Sequence, residues 1–399
     1  MKTDDRRSEV SYRLLRSELS ELLAEPEESA RHRSATAFDE QLSLCGGSLI
    51  IFGCGNMGGR VLHCLRQHGI EPLAATDSNA RIWGNTFFGL PIFSPEEAIT
   101  KYGQQAGFLI TIYNPSQSVS AIIRGLRAYG CPWIFPLVPM RWKFHREFLP
   151  FLRDDLPHKV LLAKERVLKC YEILEDDASR REYLAQVRWR LLADYDKLEE
   201  PETENEYFPE DLFQLDPNCF FIDVGAYDGD TVAEFLRRCS GNFRKILAIE
   251  PDPGSFTLLT KYIQQLPSTV RNRITALPYA VGAYLRHVRF AAGQGLNSSI
   301  DSSSNILVAS YPLDQIALAE SPSYIKVDAE GAEIDILMGC QNIVTACRPI
   351  LAICAYHTQD HLWEVPLKLN EICENYSLFI RAHRTDCWDT VCYAIPHLG

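Results

Sequence analysis

Phe221-Ile222-Asp223-Val224-Gly225-Ala226-Tyr227-Asp228-Gly229-Asp230-Thr231 reads as an apolar strand with an acid near its end, a turn holding two glycines, and the start of a helix. Glycine permits a tight turn and lets a ligand approach the backbone. The helix start offers free N–H groups, which ordinarily favour a phosphate. Here Asp223, Asp228 and Asp230 crowd the turn and would repel one. A polar or cationic ligand without phosphate fits better. S-adenosylmethionine, with a sulfonium, an ammonium and no phosphate, is such a ligand. The next strand ends in Ile249-Glu250-Pro251-Asp252, which places Glu250 25 residues after Gly225. That is near the spacing at which an acid meets a ribose diol in doubly wound folds, where a carboxylate accepts both hydroxyl hydrogens.

Working outward, residues 220–224, 245–249, 274–280, 324–327 and 350–355 read as strands, with helices at about 231–238, 253–265 and 333–339. Residues 391–395 read as a late strand near the sheet edge. Strands alternating with helices at this spacing imply a parallel sheet with helices on both faces.

Four stretches now stand in order: FIDVGAYDGDT, AIEPDP, YAVG at 279–282 and YIKVDAEGAEIDIL at 324–337. This set resembles the signature of FkbM-type class I S-adenosylmethionine-dependent methyltransferases, over roughly residues 205–396. The resemblance implies a Rossmann-like sheet and methyl transfer, mostly to oxygen, on acceptors such as polysaccharides, nucleotide-sugars or related metabolites. Carried over by residue, it places Asp223, Gly225 and Gly229 beside the methionine part of the cofactor. Asp228 and Asp230 would stand near its ammonium, Glu250 on the ribose and Asp252 near the adenine edge. The turn departs from the commoner family pattern at Tyr227 and Asp228, which leaves the amino-group contacts open.

Methyl transfer to a hydroxyl calls for positioning and for loss of a proton. Candidate bases belong at the carboxyl ends of central strands. Asp328, after Tyr324-Ile325-Lys326-Val327, and His357, after Leu351–Tyr356, meet that condition. Lys326 is placed to orient Asp328 or to contact substrate. Glu330 and Glu333 flank a glycine and would cap or orient neighbours. No carboxylate spacing demands a metal. Asn297-Ser298-Ser299, after Gly293 to Gly295, is a candidate closing loop, and His383, Arg384 and Trp388 are candidates for the acceptor pocket.

The N-terminal half repeats the layout in weaker form. Residues 48–52 read as a strand, a helix spans about 58–68, and further strands fall at 72–76, 107–113 and 131–136. Phe52-Gly53-Cys54-Gly55-Asn56-Met57-Gly58 between them satisfies G-x-G-x-x-G, and Asp77 stands 24 residues after Gly53. No acid sits inside this turn, so Gly53, Gly55, Gly58 and Asp77 are compatible with a nucleotide, a nucleotide-sugar or NAD(P). A structural or acceptor-presenting role is the remaining reading. The expected organisation is a polar helical arm (1–44) with one amphipathic helix, then a small Rossmann-like domain of about four strands (45–140). A helical acidic connector (141–217) and the methyltransferase domain (218–399) follow. The fold class is thus α/β, two doubly wound domains. The connector's stretch 194–211 holds nine acids and one lysine, and its aromatic end, Tyr207-Phe208-Pro209, is expected to fold back on a domain.

Composition sets the outer bounds. The 399 residues carry 40 basic and 52 acidic side chains, a net charge of −12, with 46% hydrophobic and 23% charged residues. That excludes collagen, wholesale disorder and a disulfide-built miniprotein. The negative balance argues against nucleic acid or an anionic membrane as partner. Thirteen cysteines without a C-x-x-C pair read as reduced thiols. With no apolar segment of signal or spanning length, the expectation is a cytoplasmic protein acting on a small-molecule or glycan acceptor, its oligomeric state open. The leading expectation is an O-methyltransferase. The alternatives are an NAD(P)-dependent oxidoreductase and a nucleotide-sugar-sensing scaffold, both working through the first glycine turn.

Overall fold

The computed structural model describes residues 2–291, 299–300, 306–373 and 375–397. Gly293 to Gly295, Asn297 and Ser298 lie outside the described residues. The chain divides into two compact units. The first holds residues 1–164, 181–201 and 384–388, and the second holds 165–180, 202–383 and 389–399, so the chain passes between them five times. The stretch read as a connector, 141–217, is shared out between the two units, and so is its acidic run.

In the first unit the strands are β1 (Leu49–Phe52), β2 (Ala74–Thr76), β3 (Thr86–Phe87), β4 (Leu90–Phe93), β5 (Gly107–Ile110) and β6 (Ile134–Pro136). They form one sheet in the order β3-β4-β2-β1-β5-β6, parallel except for the β3–β4 hairpin. All four residues of β1 are buried, as a strand covered on both faces requires. Sequence reading missed the hairpin because Thr86–Phe87 is two residues long. The N-terminal arm is two helices, Lys2–Leu23 and Glu27–Leu44, divided at Pro26. Proline lacks the N–H that a continuous helix needs there.

The second unit carries β7 (Phe220–Val224), β8 (Lys245–Ile249), β9 (Ile274–Leu277), β10 (Ala280–Val281), β11 (Arg286–Ala291), β12 (Ser299–Ile300), β13 (Ile306–Tyr311), β14 (Tyr324–Val327), β15 (Ile350–Cys354), β16 (Tyr376–Ala382) and β17 (Thr390–Pro396). The main sheet runs β16-β17-β15-β14-β7-β8-β9, with β17 antiparallel to both its neighbours. A smaller sheet runs β10-β13-β11-β12. The edge beyond β15 is β16, and β17 lies one strand in.

Phe220–Val224 is buried throughout and pairs with β8 on one side and β14 on the other. Its Phe221 ring stacks on Phe235 at 4.7 Å and on Tyr324 at 5.1 Å between ring centres. These rings fix the central strand against the helix Asp230–Cys239. Apolar side chains from β7, β8, β14, β15 and the helix His361–Ile372 complete the core. The carboxyl ends of β7, β8, β14 and β15 therefore lie side by side, where a doubly wound sheet opens its crevice. Among the described residues, no helix is long and apolar enough to cross a membrane.

Candidate active site

Asp223 sits on β7 with no exposed surface, and neither carboxylate oxygen has a hydrogen-bond donor. Its partner is Lys326, whose Nζ lies 3.1 Å from Oδ1 and donates to the Gly225 carbonyl at 2.8 Å. Lys326 is thus spent on the glycine turn. Of the two roles expected for it, neither contact with substrate nor orientation of Asp328 is what its hydrogen bond shows; it positions the turn. Burial pushes the Asp223 carboxyl up to about 6 against the pull of Lys326. Burial also weakens the lysine's hold on its proton, but Asp223 and Asp328 outweigh that and keep it a cation.

The turn leaves no room for side chains. Gly225 has φ +77°, and a Cβ there would stand 1.7 Å from the Asp328 carbonyl oxygen. Gly229 has φ +96°, and a Cβ would meet the Tyr262 ring at 2.9 Å. Both positions need glycine for conformation and for space. Tyr227 adopts φ +47° between them. Asp228 is half-buried, and Asp230 is exposed and accepts from its neighbour's Thr231 N–H at 2.7 Å.

Glu250 follows β8 and is buried. Its Oε2 accepts from the Tyr227 N–H at 2.8 Å, and its Oε1 from the Asp252 N–H at 2.7 Å. Each oxygen keeps a further lone pair. Burial raises this carboxyl to about 7. Asp252, also buried, caps the helix Pro253–Gln265 by accepting from the Gly254 and Ser255 N–H groups at 2.8 and 2.9 Å. Its Oδ1 is committed to that cap.

A second group of side chains lies at the ends of β14 and β15. The Asp328 N–H donates to the Val224 carbonyl at 3.0 Å, which ties this group to the glycine turn. His357 Nδ1 donates to Glu333 Oε1 at 2.8 Å. The same oxygen accepts from the Ala329 N–H at 2.9 Å, so Glu333 caps the turn that follows Asp328. His361 Nδ1 lies 3.1 Å from Glu333 Oε2. On its other side, His357 Nε2 is 3.2 Å from Asp328 Oδ1 and 3.7 Å from Glu330 Oε2, without the alignment of a hydrogen bond. Burial disfavours a charged imidazole, but Glu333 and Asp328 outweigh it and hold His357 well above its usual range. His357 thus holds its proton more tightly than suits the base expected from sequence. Burial raises Glu330 to about 7. For Asp328 burial is overcome by His357 and Lys326, which take it down to about 2.

Tyr207 completes the group. Its hydroxyl donates to Asp328 Oδ2 at 2.9 Å, its N–H donates to the Tyr393 hydroxyl at 3.0 Å, and its carbonyl accepts from the Tyr324 hydroxyl. The aromatic end of the acidic run thus folds back onto the second unit. Its link to Asp328 was beyond sequence reading, since 121 residues separate the pair. His361 carried no signal beyond its place early in a helix. His383 is buried and bonded to the Glu202 carbonyl and the Tyr393 hydroxyl, both at 2.7 Å, and burial takes it down to about 4. It is a brace within the fold. Arg384 and Trp388, read as its neighbours around an acceptor, belong to the first unit.

The first unit's turn is differently furnished. Asp77 accepts from the Cys54 N–H at 2.7 Å and from the Asn79 N–H at 2.8 Å. The Thr111 hydroxyl donates to the Gly53 carbonyl at 2.8 Å. A Cβ on Gly58 would stand 2.0 Å from that carbonyl oxygen, whereas Gly55 faces open space.

Residues 223–380 match the sequence model of a family described as the methyltransferase FkbM domain. These matched residues all lie in the second unit, which is similar to that domain over this stretch. A search of curated proteins finds no match. Among solved structures, the chain is similar to methyltransferase FkbM from Methylobacillus flagellatus KT, with a TM-score of 0.73 and 22% identity over 92% of this chain and 99% of that one. This likeness establishes a shared fold across both units. Two others align only with less than half of the chain: precorrin-6y C5,15-methyltransferase from Geobacter metallireducens GS-15 (13% identity, 45% of this chain, 80% of that one, TM-score 0.29) and SMU.1697c, a putative methyltransferase from Streptococcus mutans in complex with SAH (12%, 45%, 90%, 0.30). Scores that low carry no argument. The glycine turn, Glu250 and the Asp328–His357 group all fall inside the residues that match the family model.

Proposed function

We propose that the protein is an S-adenosylmethionine-dependent O-methyltransferase acting on a hydroxyl of a glycan, nucleotide-sugar or related metabolite. The observation that carries this reading is the pairing of a glycine turn too tight for any Cβ with a buried acid, Glu250, closing its far side. The cradle fits the cofactor in shape and in charge. Asp223 offers buried oxygens outside any hydrogen bond, Glu250 has lone pairs to spare for a diol, and Lys326, the cation beside the turn, is already paired with Asp223. Asp223, Gly225, Tyr227, Asp228, Gly229 and Asp230 would hold the methionine part, Glu250 the ribose, with Asp252 shaping the adenine side through its helix cap. S-adenosylmethionine supplies an electrophilic methyl on a sulfonium that departs as a neutral thioether.

This chain's side chains then have two tasks. Lys326 keeps Asp223 and the Gly225 carbonyl in place. Asp328 and Glu330 accept hydrogen bonds from the acceptor hydroxyl and one of them takes up its proton, while His357, Glu333 and Tyr207 hold these carboxylates in register. Glu330, with its proton affinity near neutrality and a quarter of its side chain exposed, is the member best matched to proton uptake.

Calorimetric titration with S-adenosylmethionine, S-adenosylhomocysteine, NAD(H) and nucleotide-sugars tests this. Binding of both adenosyl compounds, weakened at least ~10-fold in Glu250→Ala (~1.4 kcal/mol), is expected. Binding of NAD(H) alone would move the function to the first unit's turn.

A further inference from the structure

Asp328, Glu330 and Glu333 bring three carboxylates around the buried His357, with His361 beside the far oxygen of Glu333, and the nearby lysine, Lys326, is engaged with Asp223. A buried excess of negative charge is costly unless a cation joins it. The second observation is His357 itself. Its side chain is 1% exposed, and its Nε2 has no hydrogen-bond partner while facing the carboxylates of Asp328 and Glu330. Behind it, Nδ1 is bonded to Glu333, itself anchored by the Ala329 N–H. A carboxylate behind a histidine fixes ring orientation and tautomer and leaves the opposite nitrogen's lone pair for a metal. Ligand atoms of Asp328, Glu333 and His357 lie within 4.8 Å of one another.

We propose that Asp328, Glu330 and His357 Nε2 form a divalent-cation site, with Glu333 as the carboxylate behind the imidazole. One imidazole and two carboxylates suit a first-row ion such as Mn²⁺ or Zn²⁺. Three protein ligands leave coordination positions open to an acceptor's oxygens. The use of the ion, though not its binding, rests on the methyltransferase reading. A hydroxyl bound to it is acidified, so its proton leaves to solvent, and a vicinal pair of hydroxyls would chelate. The site thus favours an acceptor with two adjacent oxygens.

The test is Mn²⁺ titration of the full-length chain, followed by electron paramagnetic resonance and without any adenosyl compound, with Zn²⁺ as competitor. One equivalent should bind and be displaced by Zn²⁺, with affinity falling at least ~10-fold in both Asp328→Asn and Glu330→Gln, while S-adenosylhomocysteine still binds. His357→Gln supplies the same readout should either carboxylate variant fold poorly. No saturable Mn²⁺ or Zn²⁺ binding, or binding indifferent to all three substitutions, overturns the site. If S-adenosylhomocysteine failed to bind while Mn²⁺ bound as described, the cation site would stand and the methyltransferase reading would fall.

Discussion

The two glycine turns of this protein start from the same plan and end in different chemistry. Each follows a buried strand, opens a helix, and has an acid from the next strand reaching back to one of its N–H groups: Asp77 to Cys54, and Glu250 to Tyr227. The difference lies beneath the turn. Under the first is a neutral hydroxyl, Thr111, bonded to the Gly53 carbonyl. Under the second is an ion pair, Asp223 with Lys326, bonded to the Gly225 carbonyl. A hydroxyl braces a turn without setting a field. A buried charge pair beside a hydroxyl-binding group does both. Shared backbone geometry therefore says little about the ligand, and the groups under and beside the turn say more.

The comparison breaks most readily at its glycines. Gly225→Ala forces a Cβ against the Asp328 carbonyl and should abolish S-adenosylhomocysteine binding by ~100-fold or more, about 2.7 kcal/mol. Gly58→Ala creates the matching clash with the Gly53 carbonyl; it should lower the melting temperature and leave that affinity alone. Equal effects on binding would mean that the two turns are not independent in function.

Lys326→Met acts on stability rather than on binding, because it leaves Asp223 buried without a counterion. A loss of about 3–5 kcal/mol in urea denaturation is expected, partly relieved as Asp223 takes up a proton. An unchanged midpoint would show that the pair is not what holds the turn.

Glu250 gives a pH signature. Its carboxyl rises from 4.5 to about 7 on folding, so the folded state holds the proton more tightly than the unfolded one. Its contribution is most favourable below about pH 4.5 and is lost as pH climbs to about 7, amounting to roughly 3 kcal/mol. Glu250→Gln should flatten the slope of stability between pH 5 and 8, and saturating S-adenosylhomocysteine should alter it in the wild type only. Asp77→Ala in the first turn has the smallest expected effect, about 1 kcal/mol from two unanswered N–H groups, with no change in adenosyl binding. Differential scanning calorimetry checks both.

The legibility of the sequence followed chain distance. Strands 220–224, 245–249 and 324–327 were readable to the residue, because runs such as Phe-Phe-Ile-Asp-Val, between the turn residues Pro217-Asn218 and Gly225, admit one interpretation. Strands 286–291, 306–311 and 376–382 were not. β16 is an edge strand with alternating burial, and residues of mixed polarity there look like loop. In the site, Glu250 was legible because its spacing from Gly225 is local. Asp328 and His357 were legible as strand-end residues, but their charge states were not. His357 holds its proton more tightly than an ordinary histidine because Glu333 and Asp328 converge on it from different elements. Tyr207 was legible as an aromatic that would fold back, and its target was not.

The division of the chain bears on how the molecule is made. Asp386 accepts from the Val119 N–H at 2.7 Å, and its carbonyl accepts from Arg153 Nε at 2.8 Å, all within the first unit. The Arg153 guanidinium also lies 3.9 Å over the Trp388 ring. These partners are the last pieces of that unit to leave the ribosome. The N-terminal sheet can pair its strands long before then, but the Val119 N–H and the Nε of Arg153 lack their Asp386 acceptors until that residue has emerged. A nascent chain should therefore show the first unit protease-sensitive around residues 119–153 until residue 388 has emerged, and a stop codon before residue 384 would damage a unit whose strands were made long before it.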